Sequence, residues 1–150
     1  QVRVSGSKVY ADDGSYPLQV TLRGSRVGQD IVPLGSISVT NVAPTLTAQA
    51  NRSTRVGLPI AINDLGVFTD PGFGAQETFN YEIDWGDNTA VDRGVASIDL
   101  AGGASRATQG SFNGSHTYAN VGSYTVRYRV TDDNGGRAEQ SFVIQVLPPP

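Results

Sequence analysis

Two stretches of the chain alternate between apolar and polar residues with a period of two, which is typical of strands that are buried on one face. In the first stretch the apolar side consists of Phe79, Tyr81, Ile83 and Trp85. In the second stretch it consists of Tyr124, Val126, Tyr128 and Val130. These strands carry the only Trp and many of the other large side chains. We therefore expect them to face each other across one hydrophobic core.

Weaker alternation and turn residues predict further strands at 45–50, 58–67, 95–100, 111–118 and 137–146. The segments 70–74 and 133–136 are predicted turns, and the second contains the Asn-Gly and Gly-Gly steps that tight hairpins favour. Residues 101–110 are predicted to form a flexible loop. No helical periodicity is present. About seven short strands predict an all-β, immunoglobulin-like Greek-key β-sandwich, with a barrel as the alternative.

An internal repeat predicts the domain organisation. Residues 6–16 (GSKVYADDGSY) and 114–124 (GSHTYANVGSY) are identical at seven of eleven positions, with an offset of 108. At an offset of 105, residues 37–44 parallel 142–149, and strands are expected at 9–22 and 27–39. A period of about 100 residues suits sandwich modules in a tandem array. We expect 1–43 to be the C-terminal strands of a preceding repeat with its linker, 44–147 a complete domain, and 148–150 a Pro-rich linker.

Composition excludes several classes of function. The net charge is −3 and the basic residues are scattered, so nucleic-acid binding is not expected. The absence of Cys excludes disulfides, zinc–thiolate sites and thiol catalysis. No apolar run approaches the roughly 18 residues of a membrane span, so no membrane insertion is expected. The lack of any Met predicts that the sequence is an excised fragment. An acidic, cysteine-free all-β chain is compatible with an exported bacterial or archaeal protein.

The motifs, taken together, resemble the PKD domain, an immunoglobulin-like module named after polycystic kidney disease protein. The resemblance covers residues 44–147, in the runs FTDPGF, WGD and HTYANVGSYTVRYRVTDDNGG. The positions that match the family pattern are Trp85, Gly86, Asp87, His116, Tyr118, Gly122, Tyr124, Val126, Val130, Thr131, Asp132 and Gly135. Residues 6–41 resemble the C-terminal half of a second copy, with Lys8 in place of the His and residues 23–33 in place of the DNGG turn. The segment 90–115 is unusually long for the family.

Catalysis is not expected from the acidic and imidazole groups. Asp84 and Asp87 are the nearest approach to a carboxylate pair, but both lie in a turn where carboxylates ordinarily cap backbone N–H groups. His116 is the only histidine, and no serine near it lies in a nucleophile-elbow pattern. We expect His116 to form local hydrogen bonds and to pack near Trp85. The chain is therefore predicted not to be an enzyme.

Calcium is the one cofactor that the sequence leaves open. Its main candidate ligands are Asp84, Asp87, Asp132, Asp133 and Asn41, which offer the hard oxygen atoms that Ca²⁺ prefers. Asp70 and Asn134 offer oxygen atoms of the same kind. Asp12, Asp13 and Asn41 could also contribute to a site at the module junction, as in cadherin-like proteins. Solvated turn carboxylates are the alternative interpretation.

The resulting functional prediction is a non-catalytic extracellular module that acts as a spacer and an adhesion or protein-interaction unit in a multi-repeat surface or secreted protein. Its expected partners are neighbouring repeats, an unidentified protein or polysaccharide, and a second chain if strands are exchanged. The alternatives are a carbohydrate-binding accessory module of an exported hydrolase, in which Phe73 and Phe112 would lie on loops, and a calcium-rigidified junction module.

Overall fold

The computed structural model describes residues 3–23 and 30–149, and these residues form eleven strands and no helix. No helix long and apolar enough to cross a membrane exists within these ranges. The strands are β1 (Gly14–Leu22), β2 (Asp30–Val39), β3 (Thr45–Leu46), β4 (Arg52–Arg55), β5 (Pro59–Asp70), β6 (Phe79–Asp84), β7 (Asp92–Val95), β8 (Ser97–Leu100), β9 (Thr108–Thr117), β10 (Gly122–Asp132) and β11 (Arg137–Leu147). The predicted all-β class is confirmed.

Residues 45–147 form an immunoglobulin-like β-sandwich of two sheets. One sheet has the order β4-β11-β10-β6-β7 and the other β3-β5-β9-β8. All neighbouring strands are antiparallel except β4 and β11. There are nine strands here because the prediction missed two. Of the stretch predicted at 45–50 only β3 forms, and β4 lies after it. The stretch predicted at 95–100 contains β8, while β7 precedes it and overlaps it only at Val95.

The two alternating strands lie side by side in the five-stranded sheet. Tyr128 of β10 is opposite Ile83 of β6, so the prediction that these strands face each other across the core was wrong. Alternation determines which face of a strand is buried but does not determine which strand lies across the core. The other sheet supplies that layer, with Leu65, Phe68 and Phe112 among its buried side chains.

Several strand boundaries differ from the predictions. Strand β9 begins at Thr108, within the predicted loop. The prediction missed this start because the inward-facing residue Gly110 has no side chain, so the apolar alternation is not visible there. The phenyl ring of Phe68 fills the space where a Cβ of Gly110 would lie. Strand β1 begins at Gly14 rather than at residue 9. Strand β2 begins at Asp30. Its predicted range started at residue 27, and residues 27–29 lie outside the described residues. Residues 24–29 of the segment that replaces the DNGG turn lie outside them too.

Strands β1 and β2 form a separate two-stranded sheet. From Gly14 to Leu18 its register reproduces that of β10 and β11, and a shift after Leu18 then sets the two hairpins apart. Tyr16 is opposite Ile37 in the first hairpin, and Tyr124 is opposite Ile144 in the second. The predicted offset of 105 for the second strand is therefore wrong, since these pairs require an offset of 107. A short apolar strand matches another equally well at both offsets, and only the cross-strand pairing distinguishes them.

The side-chain contacts of the two hairpins also correspond. The hydroxyl of Tyr16 donates to the backbone carbonyl of Asp12 over 2.9 Å, and that of Tyr124 donates to the carbonyl of Asn120 over 3.1 Å. Each of these two rings packs against the tyrosine six residues before it, with centroid separations of 4.4 and 4.5 Å. The sequence repeat therefore corresponds to a repeated three-dimensional motif.

Burial separates the two hairpins. Leu18 and Ile37 are 41% and 37% exposed, whereas the equivalent Val126 and Ile144 are both 0% exposed. The four-stranded sheet covers β10 and β11, while the described residues provide no such sheet over β1 and β2. The first hairpin consequently presents an uncovered apolar face.

The turn after β6 leads to the first stability prediction. Gly86 has a φ of +79°, and a Cβ added to it would lie 2.5 Å from the carbonyl oxygen of Thr125 in β10. Gly57 has a similar φ of +76° but open space around it. We expect Gly57→Ala to cost about 1–2 kcal/mol for the left-handed backbone, and Gly86→Ala to cost about 2 kcal/mol more for the clash. Urea unfolding measures both losses, and equal losses would contradict the close approach to β10.

Candidate functional site

The predicted calcium ligands lie at opposite ends of the sandwich. Because β6 and β10 are antiparallel, Asp84 pairs with Arg127 at one end of β6, and Phe79 pairs with Asp132 at the other. A six-residue strand separates these ends by roughly 17 Å. Asp87 lies beyond the Asp84 end. The five candidates therefore do not form one site, and the two ends have different chemistry.

The first end is an aromatic cluster around Trp85. The imidazole of His116 stacks on the Trp85 indole with a centroid separation of 5.0 Å and an angle of 10° between the planes. The Tyr118 ring meets His116 edge-on at 4.7 Å, and its hydroxyl donates to the backbone carbonyl of Trp85 over 3.0 Å. The indole Nε1–H donates to the Asp92 carboxylate over 2.8 Å. The expected packing of His116 near Trp85 is confirmed.

Asp87 connects the turn to this cluster. Its Oδ1 accepts bonds from the backbone N–H and the hydroxyl of Thr89, and its Oδ2 lies 2.7 Å from Nε2 of His116. Burial by itself would raise the pKa of Asp87, but the bonds from Thr89 and His116 outweigh it and hold that pKa below its ordinary value. The ionised carboxylate is an acceptor, so His116 donates through Nε2–H.

The aromatic cluster and its hydrogen bonds stabilise the turn after β6. Asp84 Oδ1 accepts the N–H of Gly86 over 2.9 Å, which is the expected turn role. The described hydrogen bonds of His116 include none to a serine hydroxyl. Asp84 thus stabilises the turn after β6 itself, while Asp87 and His116 hold that turn against β9. This arrangement offers no activated nucleophile.

The second end carries acidic side chains where the core would otherwise continue. The inward alternation of β5 extends through Phe68 to Asp70, and that of β10 extends through Val130 to Asp132. Glu77 has the same parity as Phe79, two residues before β6 begins. Asp70, Glu77 and Asp132 are 2%, 8% and 5% exposed. The sequence analysis did not single out Glu77. It lies two residues before the inward-facing Phe79, so continuing the period-two alternation of β6 would have predicted that Glu77 also faces inward.

Asp132 closes the hairpin turn between β10 and β11. Its Oδ1 accepts the backbone N–H groups of Asn134 over 3.1 Å and Gly136 over 2.6 Å. Its Oδ2 accepts a bond of 2.9 Å from Nδ2 of Asn41, which lies in the linker after β2. Of the predicted ligands, Asn41, Asp132 and Asp133 are therefore brought to this end of the molecule.

Asp70 and Glu77 lie beside the turn that follows β5. Asp70 Oδ1 accepts the N–H of Gly72 over 2.7 Å, while Asp70 Oδ2 is buried and has no hydrogen-bond partner among the described residues. A Cβ placed on Gly72 would lie 2.6 Å from Glu77 Oε1 and 2.9 Å from Asp70 Oδ1. The two carboxylates therefore approach the same point of the backbone.

The hairpin segment contributes further acids across a small cavity of about 120 Å³. The side chains around this cavity include those of Tyr10, Asp12, Asp13, Asn41, Pro71 and Glu77. The N–H of Phe73 donates to the carbonyl of Ala11 over 2.9 Å, which joins the two sides directly. We call Asp12, Asp13, Asp70, Glu77, Asp132 and Asp133 the junction carboxylates.

Burial and neighbouring negative charges raise the pKa values of Glu77 and Asp70. Burial, followed by the charges of Asp133, Asp70, Asp12 and Asp132, raises the pKa of Glu77 from 4.5 to about 7. Burial also raises the pKa of Asp70, against the lowering effect of the Gly72 N–H bond. None of the three ion pairs found in the described ranges includes a junction carboxylate. Within the part of the chain that the structure describes, the junction carboxylates therefore form no direct ion pair with a cationic side chain.

Comparison with known proteins adds little to this geometry. No family model matches the chain, and no curated protein matches it. Among solved structures it is similar to the PKD domain of an M14-like peptidase from a Thermoplasmatales archaeon, with 21% identity and a TM-score of 0.46. That match covers 71% of this chain and 98% of the other. Similarity at this level identifies neither a family nor an activity.

The aromatic end yields a prediction about acid stability. Asp87→Asn removes the charge that accepts from Thr89 and His116, so we expect a loss of about 1.5–3 kcal/mol at pH 7. Folding lowers the pKa of Asp87. Its contribution to the free energy of unfolding is therefore fully present above the pKa that Asp87 has in the unfolded chain. It is lost as the pH falls through the pKa that Asp87 has in the folded chain. Thermal unfolding at several pH values measures the loss. Asp99→Asn, on the exposed face of β8, is the control and should change stability little at any pH.

The junction yields a prediction of the opposite sign. Folding raises the pKa of Glu77 from 4.5 to about 7, so its unfavourable ionisation grows as the pH rises through that window. Glu77→Gln should therefore be more stable than the wild type by about 1–3 kcal/mol at pH 8 and equal to it near pH 4.5. Glu139→Gln on the exposed face of β11 is the matched control. A pH-independent difference would show that burial and the neighbouring charges do not raise the pKa of Glu77.

Proposed function

We propose that the chain is a non-catalytic extracellular module that acts as a spacer and as an adhesion or protein-interaction unit in a multi-repeat surface or secreted protein. The observation that carries this proposal is the attachment of the repeated hairpin to the sandwich. Phe73 bonds to Ala11 and Asn41 bonds to Asp132, so contacts reach the sandwich both from the segment before β1 and from the linker after β2. A spacer needs such contacts, since a flexible linker alone would let adjacent repeats rotate freely.

The uncovered face of the first hairpin fits a partner repeat. In the complete sandwich the equivalent face of β10 and β11 is buried by a four-stranded sheet. We infer that β1 and β2 are the end of a preceding repeat whose own four-stranded sheet covers Leu18 and Ile37. Exchange of strands with a second copy would supply the same cover. A monomeric mass in solution would contradict strand exchange. Cover by a preceding repeat of the same protein would then be the remaining explanation.

Carbohydrate binding is not favoured. Flat binding of sugars uses exposed aromatic rings, and no aromatic side chain of the described residues is fully exposed. Phe112, expected on a loop, lies in β9 instead, where it is 4% exposed and stacks on Tyr81 at 4.6 Å. Phe73 is half-buried beside the hairpin segment. These rings support the sandwich and the junction.

Hydrogen exchange at the junction tests the spacer proposal. The Phe73 amide donates to Ala11, so in a docked hairpin it should exchange roughly 100-fold more slowly than an exposed loop amide. Asn41→Ala removes the bond to Asp132 and should accelerate this exchange, while Asn120→Ala, whose side chain makes no such bond, should not. An unprotected Phe73 amide in the wild type, together with scattering data that require a freely moving hairpin, would refute the proposal.

A further inference from the structure

We propose that the outer face of the five-stranded sheet is a weak interface that binds the same face of a second copy of this chain about a two-fold axis. The inference rests on the proposed function as a protein-interaction unit, because it names a partner for that unit. It uses the side chains of β6, β7, β10 and β11 that point away from the core. Both chains keep their own strands, so the contact differs from strand exchange.

The strand registers arrange the charged residues of this face in two rows that run across the strands. The first row crosses β7, β6, β10 and β11 in the order Arg93, Glu82, Arg129 and Glu139. In the second row, Asp84 of β6 is opposite Arg127 of β10. Alternate residues of β6 and β10 are buried in the core, so the charged residues between them lie on the outer face. The sign of the charge therefore alternates across this face.

An axis that runs nearly along the strands, between β6 and β10, brings opposite charges together. Such an axis reverses each row in the second copy, so Glu82 of one chain faces Arg129 of the other. Arg93 likewise faces Glu139, and the second row is reversed in the same way. Every contact occurs twice in a two-fold dimer. An axis across the strands would instead place like charges against each other, so the charge pattern selects one arrangement.

Part of the charge on this face is not used within the chain. Glu82 forms ion pairs with Arg93, over 2.7 Å, and with Arg129. The ion pairs among the described residues include neither Arg127 nor Glu139. Both of these side chains are exposed. They can therefore pair with a second copy without breaking an ion pair of the monomer.

The size and shape of the face predict a weak contact. Four strands spaced about 4.8 Å apart, each contributing about 20 Å of length, give roughly 400 Å² per chain. Interfaces of this size are transient, and polar ones retain water. A depression of about 280 Å³ lined by charged side chains of both rows leaves room for the long arginine side chains of the second copy. Complementary charge gives such a contact its specificity.

Sedimentation equilibrium of the 150-residue chain tests the interface. We expect the wild type to dimerise with a Kd of about 0.1–1 mM in about 20 mM salt, and about 10-fold more weakly in about 0.5 M salt, because salt screens exposed charges. Glu139→Lys places a lysine against Arg93 of the second copy, and Arg93→Glu places a glutamate against Glu139. Each variant alone should therefore dimerise about 10-fold more weakly than the wild type.

Mixing the two variants gives the sharpest readout. In their heterodimer the introduced lysine faces the introduced glutamate, and Arg93 of one chain still faces Glu139 of the other. An equimolar mixture should therefore associate as tightly as the wild type, and this recovery also shows that both variants are folded. Asp99→Lys, on the exposed strand β8 of the other sheet, is the matched control and should dimerise like the wild type.

Three outcomes would overturn the proposal. The first is a wild type that stays monomeric at about 1 mM in low salt, and the second is a mixture that associates no better than either variant alone. The third is a dimer that neither salt nor the substitutions weaken, which would indicate strand exchange.

Protection of the Phe73 amide, measured on the dilute monomer in high salt, tests the spacer function separately. A protected amide in a chain that does not associate would reject the interface and retain the spacer. An unprotected amide in a chain that associates as expected would reject the spacer and retain the interface.

Discussion

The register between β6 and β10 is the constraint on which both ends of this molecule depend. Pairing Ile83 with Tyr128 turns every second side chain of both strands into the core. A shift by one residue would move all of these side chains to solvent. The same register places Trp85 beyond one end of the pair and Asp132 at the other. The aromatic cluster and the acidic junction are therefore two consequences of one alignment.

The two ends satisfy their buried polar groups in different ways. At the aromatic end the acceptors are matched by donors, since Thr89 and His116 donate to Asp87 and Tyr118 donates to a carbonyl. At the junction the acids outnumber the donors, and burial together with mutual repulsion raises the pKa of Glu77 to about 7. A hydrogen-bond network in which every acceptor has a donor suits a permanent structural contact. An excess of carboxylates between the hairpin and the sandwich makes that contact sensitive to pH.

Repetition of the hairpin shows how much of a module is encoded locally. The hydroxyl-to-carbonyl bond of Tyr16 and that of Tyr124 each span four residues, and both form although only the second hairpin is covered by another sheet. Such short-range contacts follow from the sequence motif itself. The burial of Leu18 or Val126, in contrast, depends on strands that are distant in the chain.

The sequence alone determined the all-β class, the inward faces of β6 and β10, the turn roles of Asp84 and Asp87, and the hairpin repeat, because period-two alternation and turn residues act over a few neighbours. It did not determine that β6 and β10 share a sheet, that Phe112 is buried, or that Gly110 lies in a strand. Only the tertiary structure separated the Asp84 end from the Asp132 end and brought Glu77, Asp70 and the acids of the hairpin segment to one junction. Strand pairing joins residues far apart in the chain, and no local pattern records which of them meet.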